Sequence, residues 1–464
     1  MSAAPLVEIQ RQVAREANVG RAHGEPPLVS QLLPTMLDRR NMEAAWERVR
    51  TSDGALTPGV DGQTATDVLR QHSRWLSSLT DDLYHQNYVP HPVRYVEIPK
   101  SGGGMRRLGI MTVRDRVVHT AMKQVLEPIL DPIFVDDSFG FRCGRSVAAA
   151  LWRCTYVMSQ FARTNGVAEV TAIPSDITQC FDTVDHTLLM DQLESIVQDT
   201  SFLNLTKQIL AAEATHRREW FASRPVGLIQ GSGLSPLLCN FALHPLDSEF
   251  AKVARGHHGQ LRMFRYADDL LIVAATARLA RIGLAQLRQS IARLRQRLNR
   301  NKTGILTATG GVPWLGVTIE PRRHSWSSQP NFGYVVPEAK VLKMMDRINE
   351  MTIPPSTRID PAAFDLGRWI VSINSQLRDW RQAYLFADNA PLVFRALDDH
   401  TQQRVGELLA SITGRRQRSL YQEYKIRLPR GFKTWQVQGC RLTVLSSLAP
   451  HRPDRLIRRP PWAT

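Results

Sequence analysis

Asp268 and Asp269 stand between Phe264-Arg265-Tyr266-Ala267 and Leu270-Leu271-Ile272-Val273. Two adjacent carboxylates with apolar strand-formers on both sides read as a β-hairpin carrying the acids at its turn. Such a turn drives two negative groups to one point on a rigid support. A hard divalent cation such as Mg2+ is the usual reason to tolerate that repulsion; the alternative is a solvated acidic turn. Asp81-Asp82, Asp136-Asp137 and Asp398-Asp399 lack strand-like flanks, so the flanks, not the acid pair, carry the reading. A third acid, Asp176, ends an apolar stretch that reads as a buried strand from Val167 to Ile177. The 92-residue separation of Asp176 from Asp268 leaves room for helices that return the chain beside the hairpin. Three acids meeting there would suit two-metal phosphoryl transfer. Asp182 and Asp185 are nearby acids, but Asp185 before His186 reads more simply as a helix N-cap.

The chain around these acids has 464 residues, enough for two to four structural units. Its hydrophobic content of 43% suits a folded protein rather than a disordered one. The longest apolar run, Leu270 to Ala275, is too short for a bilayer, and the N-terminus lacks a signal-peptide pattern. Five cysteines form no CxxC pair, which argues against a zinc ribbon or disulfide framework and fits a reducing cytosol. The net charge of +16 favours a polyanionic partner, above all nucleic acid. The excess is uneven: residues 411–464 hold 12 Lys/Arg against 2 Asp/Glu, and Arg278 to Lys302 holds eight basic residues and no acid.

The elements that must position the acids follow from periodicity. Residues 36–53 are expected as a helix, with Met42, Ala45, Trp46 and Val49 on one face, and Asp67 to Asn87 as another. Tyr88 to Lys100 and Met105 to Ile110 read as strands joined by Ser101-Gly102-Gly103-Gly104. Arg114 to Phe134, Pro236 to Phe250 and Leu279 to Leu298 are expected as helices, and Trp314 to Ile319 as a short strand. The chain turns helical again after Pro337, and Pro354-Pro355 separates two helical blocks.

Several segments resemble a known family. Asp176 through His186, with Phe181-Asp182, looks like the first catalytic motif of reverse transcriptases, and Tyr266-Ala267-Asp268-Asp269 like their YxDD box. Gln230-Gly231-Ser232-Gly233-Leu234-Ser235-Pro236-Leu237-Leu238-Cys239-Asn240 is similar to their QG…SPLL box. The nearest likeness is to the group II intron reverse transcriptase/maturase lineage. It rests on Gly59-Val60-Asp61-Gly62, Ile98-Pro99-Lys100, Arg106-Arg107-Leu108-Gly109-Ile110, and Thr112-Val113-Arg114-Asp115-Arg116-Val117-Val118. Leu126-Glu127-Pro128, Ser138-Phe139-Gly140-Phe141-Arg142, Gly144-Arg145-Ser146, His244-Pro245-Leu246-Asp247 and Trp314-Leu315-Gly316 follow in the expected order.

The resemblance implies an α+β right-hand polymerase: fingers, a palm whose antiparallel sheet is flanked by helices, and an α-helical thumb, the maturase X domain. The expected divisions are an N-terminal helical extension (1–55), fingers with the start of the palm (56–170), palm (171–330), thumb (331–410) and a basic nucleic-acid-binding tail (411–464). Asp176, Asp268 and Asp269, with the Ile177 carbonyl, would hold two Mg2+, with Mn2+ as a substitute. Phe181 would exclude a 2′-hydroxyl, Gln230 would pack on the incoming nucleotide, and Lys100, Arg106, Arg107 and Lys302 would meet the triphosphate. Arg142, Arg145, Arg378, Trp380, Tyr384, Arg415 and Arg416 would contact nucleic acid. Ser232 departs from the family's second Gly, and Arg107 from a common Pro. No His/Cys-rich endonuclease module follows the thumb.

The implied function is an RNA-directed DNA polymerase that extends a DNA or RNA primer on an RNA template with dNTPs. A maturase role on its own intron RNA fits the same pattern. The alternatives are a free-standing reverse transcriptase of a defence, CRISPR spacer-acquisition or DNA-repair system working with a non-coding RNA, or an RNA-binding splicing cofactor with secondary polymerase activity. The expected setting is the bacterial cytoplasm, at the nucleoid through nucleic acid and away from membranes. Oligomeric state stays open.

Overall fold

The computed structural model describes residues 4–22, 29–99, 104–215, 225–324, 327–353, 365–428, 431–448 and 460. It has the expected α+β composition, helices with small antiparallel sheets, in two compact units. One comprises residues 1–146, 173–305 and 457–464, the other 147–172 and 306–456. This division interleaves along the sequence where the expected domains ran end to end. Among the described residues no helix is long and apolar enough to cross a membrane.

In the first unit, helices Arg39–Arg50 and Val113–Leu130 pack together, and Met42, Ala45, Trp46, Val118, Met122 and Val125 are all buried. Asn41 is buried among them, and its Nδ2 donates to the Met36 and Ala121 carbonyls at 2.7 and 3.2 Å. The single helix expected from Asp67 to Asn87 is two, Ala65–Leu69 and His72–Tyr84. Thr64 and Asp67 form a reciprocal capping box, so Asp67 lies inside the first turn instead of starting the helix. Strands β1 (Arg94–Pro99) and β2 (Met105–Ile110) pair antiparallel from Arg94↔Ile110 to Pro99↔Met105.

Strand β3 (Thr171–Asp176) is shorter than the sequence suggested, because Val167–Glu169 winds into a 3₁₀ turn first. It lies beside β5 (Asp269–Ala274), the second arm of a hairpin whose first arm is β4 (Leu261–Tyr266). The hairpin register runs from Leu261↔Ala274 to Tyr266↔Asp269. Helices Ser235–Gly256 and Ala277–Arg293 pack on it, and Leu270 to Ala274 are buried without alternation, as a doubly covered strand requires. The latter helix ends before the expected Leu298, because Arg295 takes a left-handed φ of 55° and Leu298 bridges to Ile177.

In the second unit, Ala172 and Thr171 at the start of β3 pair with β6 (Leu306–Thr307). Strands β7 (Val312–Trp314), β8 (Val317–His324) and β9 (Ser327–Val335) form a meander, and helix Val147–Asn165 packs on β9. The expected strand Trp314 to Ile319 is thus broken by a hairpin turn at Leu315-Gly316. Helices Glu338–Met351, Leu366–Tyr384 and Ala390–Thr413 follow; the Pro354-Pro355 break lies outside the described residues. The described residues of the basic C-terminal segment form regular elements. Helix Gln417–Tyr424 leads to β10 (Lys425–Arg427), β11 (Lys433–Val437) and β12 (Cys440–Arg441). Trp435 is wholly buried and its indole donates to the Gln402 carbonyl at 2.9 Å. Asp398 accepts from the Leu445 and Ser446 amides at 2.7 and 2.8 Å.

Candidate active site

The β4–β5 hairpin brings Asp268 and Asp269 to its turn, and the Ile177 amide donates to the Asp268 carbonyl at 3.3 Å, tying the end of β3 to it. Asp176, Ile177, Asp268 and Asp269 therefore belong to one corner. A second tie comes from the chain after helix Ala277–Arg293. The Asn299 amide donates to the Asp176 carbonyl at 2.8 Å, and the Thr178 amide to the Arg297 carbonyl at 2.8 Å. The Asp176 carboxylate accepts from Asn299 Nδ2 at 3.3 Å and from Lys302 Nζ at 3.1 Å.

The turn is held from beneath. Arg265 is fully buried and ion-paired with Asp247, Nε to Oδ1 at 2.8 Å. Its Nη1 donates to Asn240 Oδ1 at 2.7 Å and to the Ala267 carbonyl at 3.1 Å. Asn240 in turn donates to the Gly140 carbonyl at 2.7 Å. Ala267 has φ of 58°, a left-handed conformation that L-residues adopt at a cost. Gly140 packs so closely on it that a Cβ there would lie 2.3 Å from the Ala267 nitrogen.

Burial raises the Asp268 carboxyl above its ordinary range, with Asp176 adding to the effect. Burial, then Asp268, then Asp176, push Asp269 up to about 6. The donors at this corner are hard oxygens under mutual repulsion, the chemistry a divalent cation relieves. Lys302, on Asp176, is the cation in contact. Among the described residues no three His, Cys, Asp or Glu side chains are gathered closely enough to enclose an ion without further movement.

Phe181, on the short helix Cys180–Thr183, is half-buried and meets Phe141 edge-on at 6.1 Å between ring centroids. Gln230 Nε2 donates to Asp182 Oδ1 at 3.3 Å, and its carbonyl accepts from the Gly109 amide of β2 at 2.7 Å. Arg106 and Arg107 alternate on β2, and both are exposed. The Arg107 guanidinium lies 4.2 Å from the centre of the Tyr95 ring, whereas Arg106 acts on the Asp268 carboxyl. Lys100 lies outside the described residues. Ser232 shares a 2.7 Å hydrogen bond with Nδ1 of buried His119, whose pKa burial lowers to about 4, and accepts from the Leu234 amide at 3.1 Å. A neutral imidazole thus braces the turn where the resemblance led one to expect Gly. Asp185 caps its helix as expected, accepting from the Thr187 and Leu188 amides.

Two arginines expected at nucleic acid have partners of their own. Arg142 is buried and ion-paired with Asp131 at 2.7 Å, and Arg145 is paired with Asp136 at 3.1 Å. In the second unit, Arg378 is exposed on helix Leu366–Tyr384, and Trp380 contacts Tyr384 at 4.6 Å between rings. Arg415 pairs with Glu423 at 2.6 Å, and Arg416 is exposed. Arg265, Asp247, Asn240 and Asn299 were not singled out from the sequence as parts of the site. Asn240 and Asp247 lie within the family-like motifs and Arg265 beside one, but the partner of a buried ion pair leaves no local pattern.

Residues 98–319 match the family of reverse transcriptases (RNA-dependent DNA polymerases). The chain is 30% identical to protein YkfC of Escherichia coli over 348 residues, 68% of this chain and 89% of that protein. It is 32% identical to the group II intron-encoded protein LtrA of Lactococcus lactis over 44% of this chain and 32% of LtrA. It is 30% identical to the COX1/OXI3 intron 1 protein of Saccharomyces cerevisiae over 53% of this chain. The chain spans 28% of that intron protein's length. The matched stretch contains the Asp176–Asp268–Asp269 corner, and the chain belongs to the reverse transcriptase family, in its group II intron-type reverse transcriptase/maturase branch.

Proposed function

We propose that the chain is an RNA-directed DNA polymerase that extends a primer 3′-hydroxyl on an RNA template with dNTPs. The observation that carries this reading is the tie between β3 and the hairpin turn, which gathers Asp176, Asp268 and Asp269 with the Ile177 backbone. These residues would hold two Mg2+, which when bound supply charge neutralisation at the attacking and leaving oxygens. The chain's own groups do the rest. Arg106 presents a fixed cation towards the triphosphate, and Lys302 stands beside Asp176 for the departing phosphates. Asp182 and the Gly109 amide set the Gln230 side chain and backbone against the nascent pair. Phe181 excludes the ribonucleotide 2′-hydroxyl.

The helix bearing Arg378, Trp380 and Tyr384 would lie along the template–primer minor groove, where A-form duplexes are read by shape and 2′-hydroxyls. Relatives named as intron-encoded proteins favour a second, maturase role on intron RNA.

Primer extension on an annealed RNA template with Mg2+ and dNTPs tests the reading. Extension by the wild type and none by Asp268→Ala/Asp269→Ala is the expected result. Folded, RNA-binding wild type that extends nothing would overturn it.

A further inference from the structure

Phe141 is held in a conformation that folding alone does not reward. Its φ is 58°, in the left-handed region where a bulky side chain is uncommon, and the residue is 49% exposed. Both neighbours are fixed. Gly140 is wedged against the backbone of Ala267, and its carbonyl accepts from Asn240 at 2.7 Å. Arg142 is buried and forked onto Asp131, with further bonds to the Val135 and Ser138 carbonyls at 2.8 and 2.9 Å. Upstream, the segment runs along β4: the Arg265 amide donates to the Asp137 carbonyl at 2.9 Å, and the Phe139 amide to the Arg265 carbonyl at 2.8 Å. Phe139, two residues away, is 1% exposed and serves the core. Phe141 is presented outward by the same loop and meets Phe181 edge-on. The Phe181 carbonyl accepts from the Leu228 amide at 2.7 Å, so the backbone that carries this ring is tied to the segment that carries Gln230. A strained, exposed aromatic over-determined by its surroundings is a mark of a functional position.

We propose that Phe141 is a specificity-determining positioning residue: a second aromatic wall that holds the Phe181 ring where it closes the pocket against a ribonucleotide sugar. This rests on the polymerase reading and deepens it. Edge-to-face packing fixes the tilt of the Phe181 ring, and without it the ring swings into the space Phe141 leaves, opening room for a 2′-hydroxyl.

The test is single-nucleotide incorporation by the full chain on an annealed RNA template, comparing kcat/KM for a dNTP and the matching rNTP. Phe141→Gly is the informative variant, because glycine suits the left-handed backbone and the fold keeps its melting temperature. It should relax the preference for dNTP by about tenfold, as loss of one apolar wall contact does in other pockets. Phe141→Tyr, whose hydroxyl can reach solvent, should restore the wild-type ratio. Phe181→Ala should also relax it, and adding Phe141→Gly to Phe181→Ala should change nothing further, since one residue acts through the other. An unchanged ratio in Phe141→Gly beside a relaxed Phe181→Ala overturns the inference, as does an equal loss for both nucleotides. Absence of dNTP extension by the wild type would sink the polymerase reading itself. An unchanged ratio in Phe181→Ala would remove the gate, and this inference with it.

Discussion

Two tight hairpin turns in this molecule have the same length and opposite characters. The turn between Trp314 and Val317 uses Leu315 and Gly316, with φ of 49° and 79°, the backbone a two-residue hairpin prefers. The turn between Tyr266 and Asp269 uses Ala267 and Asp268, with Ala267 at φ 58° and two carboxyls held above their ordinary pKa range. The first turn places glycine at one of its two left-handed positions. The second has neither glycine nor charge balance and is held by its surroundings: the Arg265–Asp247 pair, Asn240 and Gly140. The contrast teaches that the acidic turn is maintained against local preference, which is expected where a site needs preorganised charge.

The contrast can be broken most severely at the acids. Asp268→Ala/Asp269→Ala should lower primer extension by about a thousandfold or more, while its melting temperature holds or rises because like charges are removed. A large fall in stability would mean that the acids serve the fold. The support beneath the turn should show the reverse balance. Asp247→Asn leaves the buried Arg265 guanidinium without its counter-charge and should cost about 3–5 kcal/mol in urea unfolding. A loss below about 1 kcal/mol would show that the pair does not brace the turn.

Acidity separates the two turns further. With its pKa raised to about 6, Asp269 binds its proton more tightly in the folded chain than in the unfolded one. Its contribution to stability is therefore complete below pH about 4, its ordinary range, and is lost as pH rises through about 6. Relative to Asp269→Asn, the wild type without divalent cation should lose on the order of 1–2 kcal/mol across that window. Equal pH profiles for the two proteins would contradict the shift. Replacement at Leu315-Gly316 should show no such titration, only the backbone cost. Gly316→Ala should destabilise by about 1 kcal/mol, whereas Ala267→Gly should leave stability unchanged or raise it by less than about 1 kcal/mol. Loss of stability in Ala267→Gly would show that alanine is preferred there.

The hairpin, its acids, the strand that ends in Asp176, the Asp185 cap and the family are legible in the residues alone. These signals are local: strand-formers on both sides of a turn, a cap before a helix, motifs in order. Packing in three dimensions sets which groups serve which. Arg142 and Arg145, expected at nucleic acid, are paired within the protein with Asp131 and Asp136. Lys302 lies on Asp176, Asp182 holds Gln230, and His119 accounts for Ser232. In the described part of the basic C-terminal stretch, Trp435 on β11 is wholly buried. In each case the partner is distant along the chain or fixed by burial. Periodicity reports which face of an element is apolar, not which charge lies across from it, and a buried polar group takes whatever partner the packed chain brings within reach.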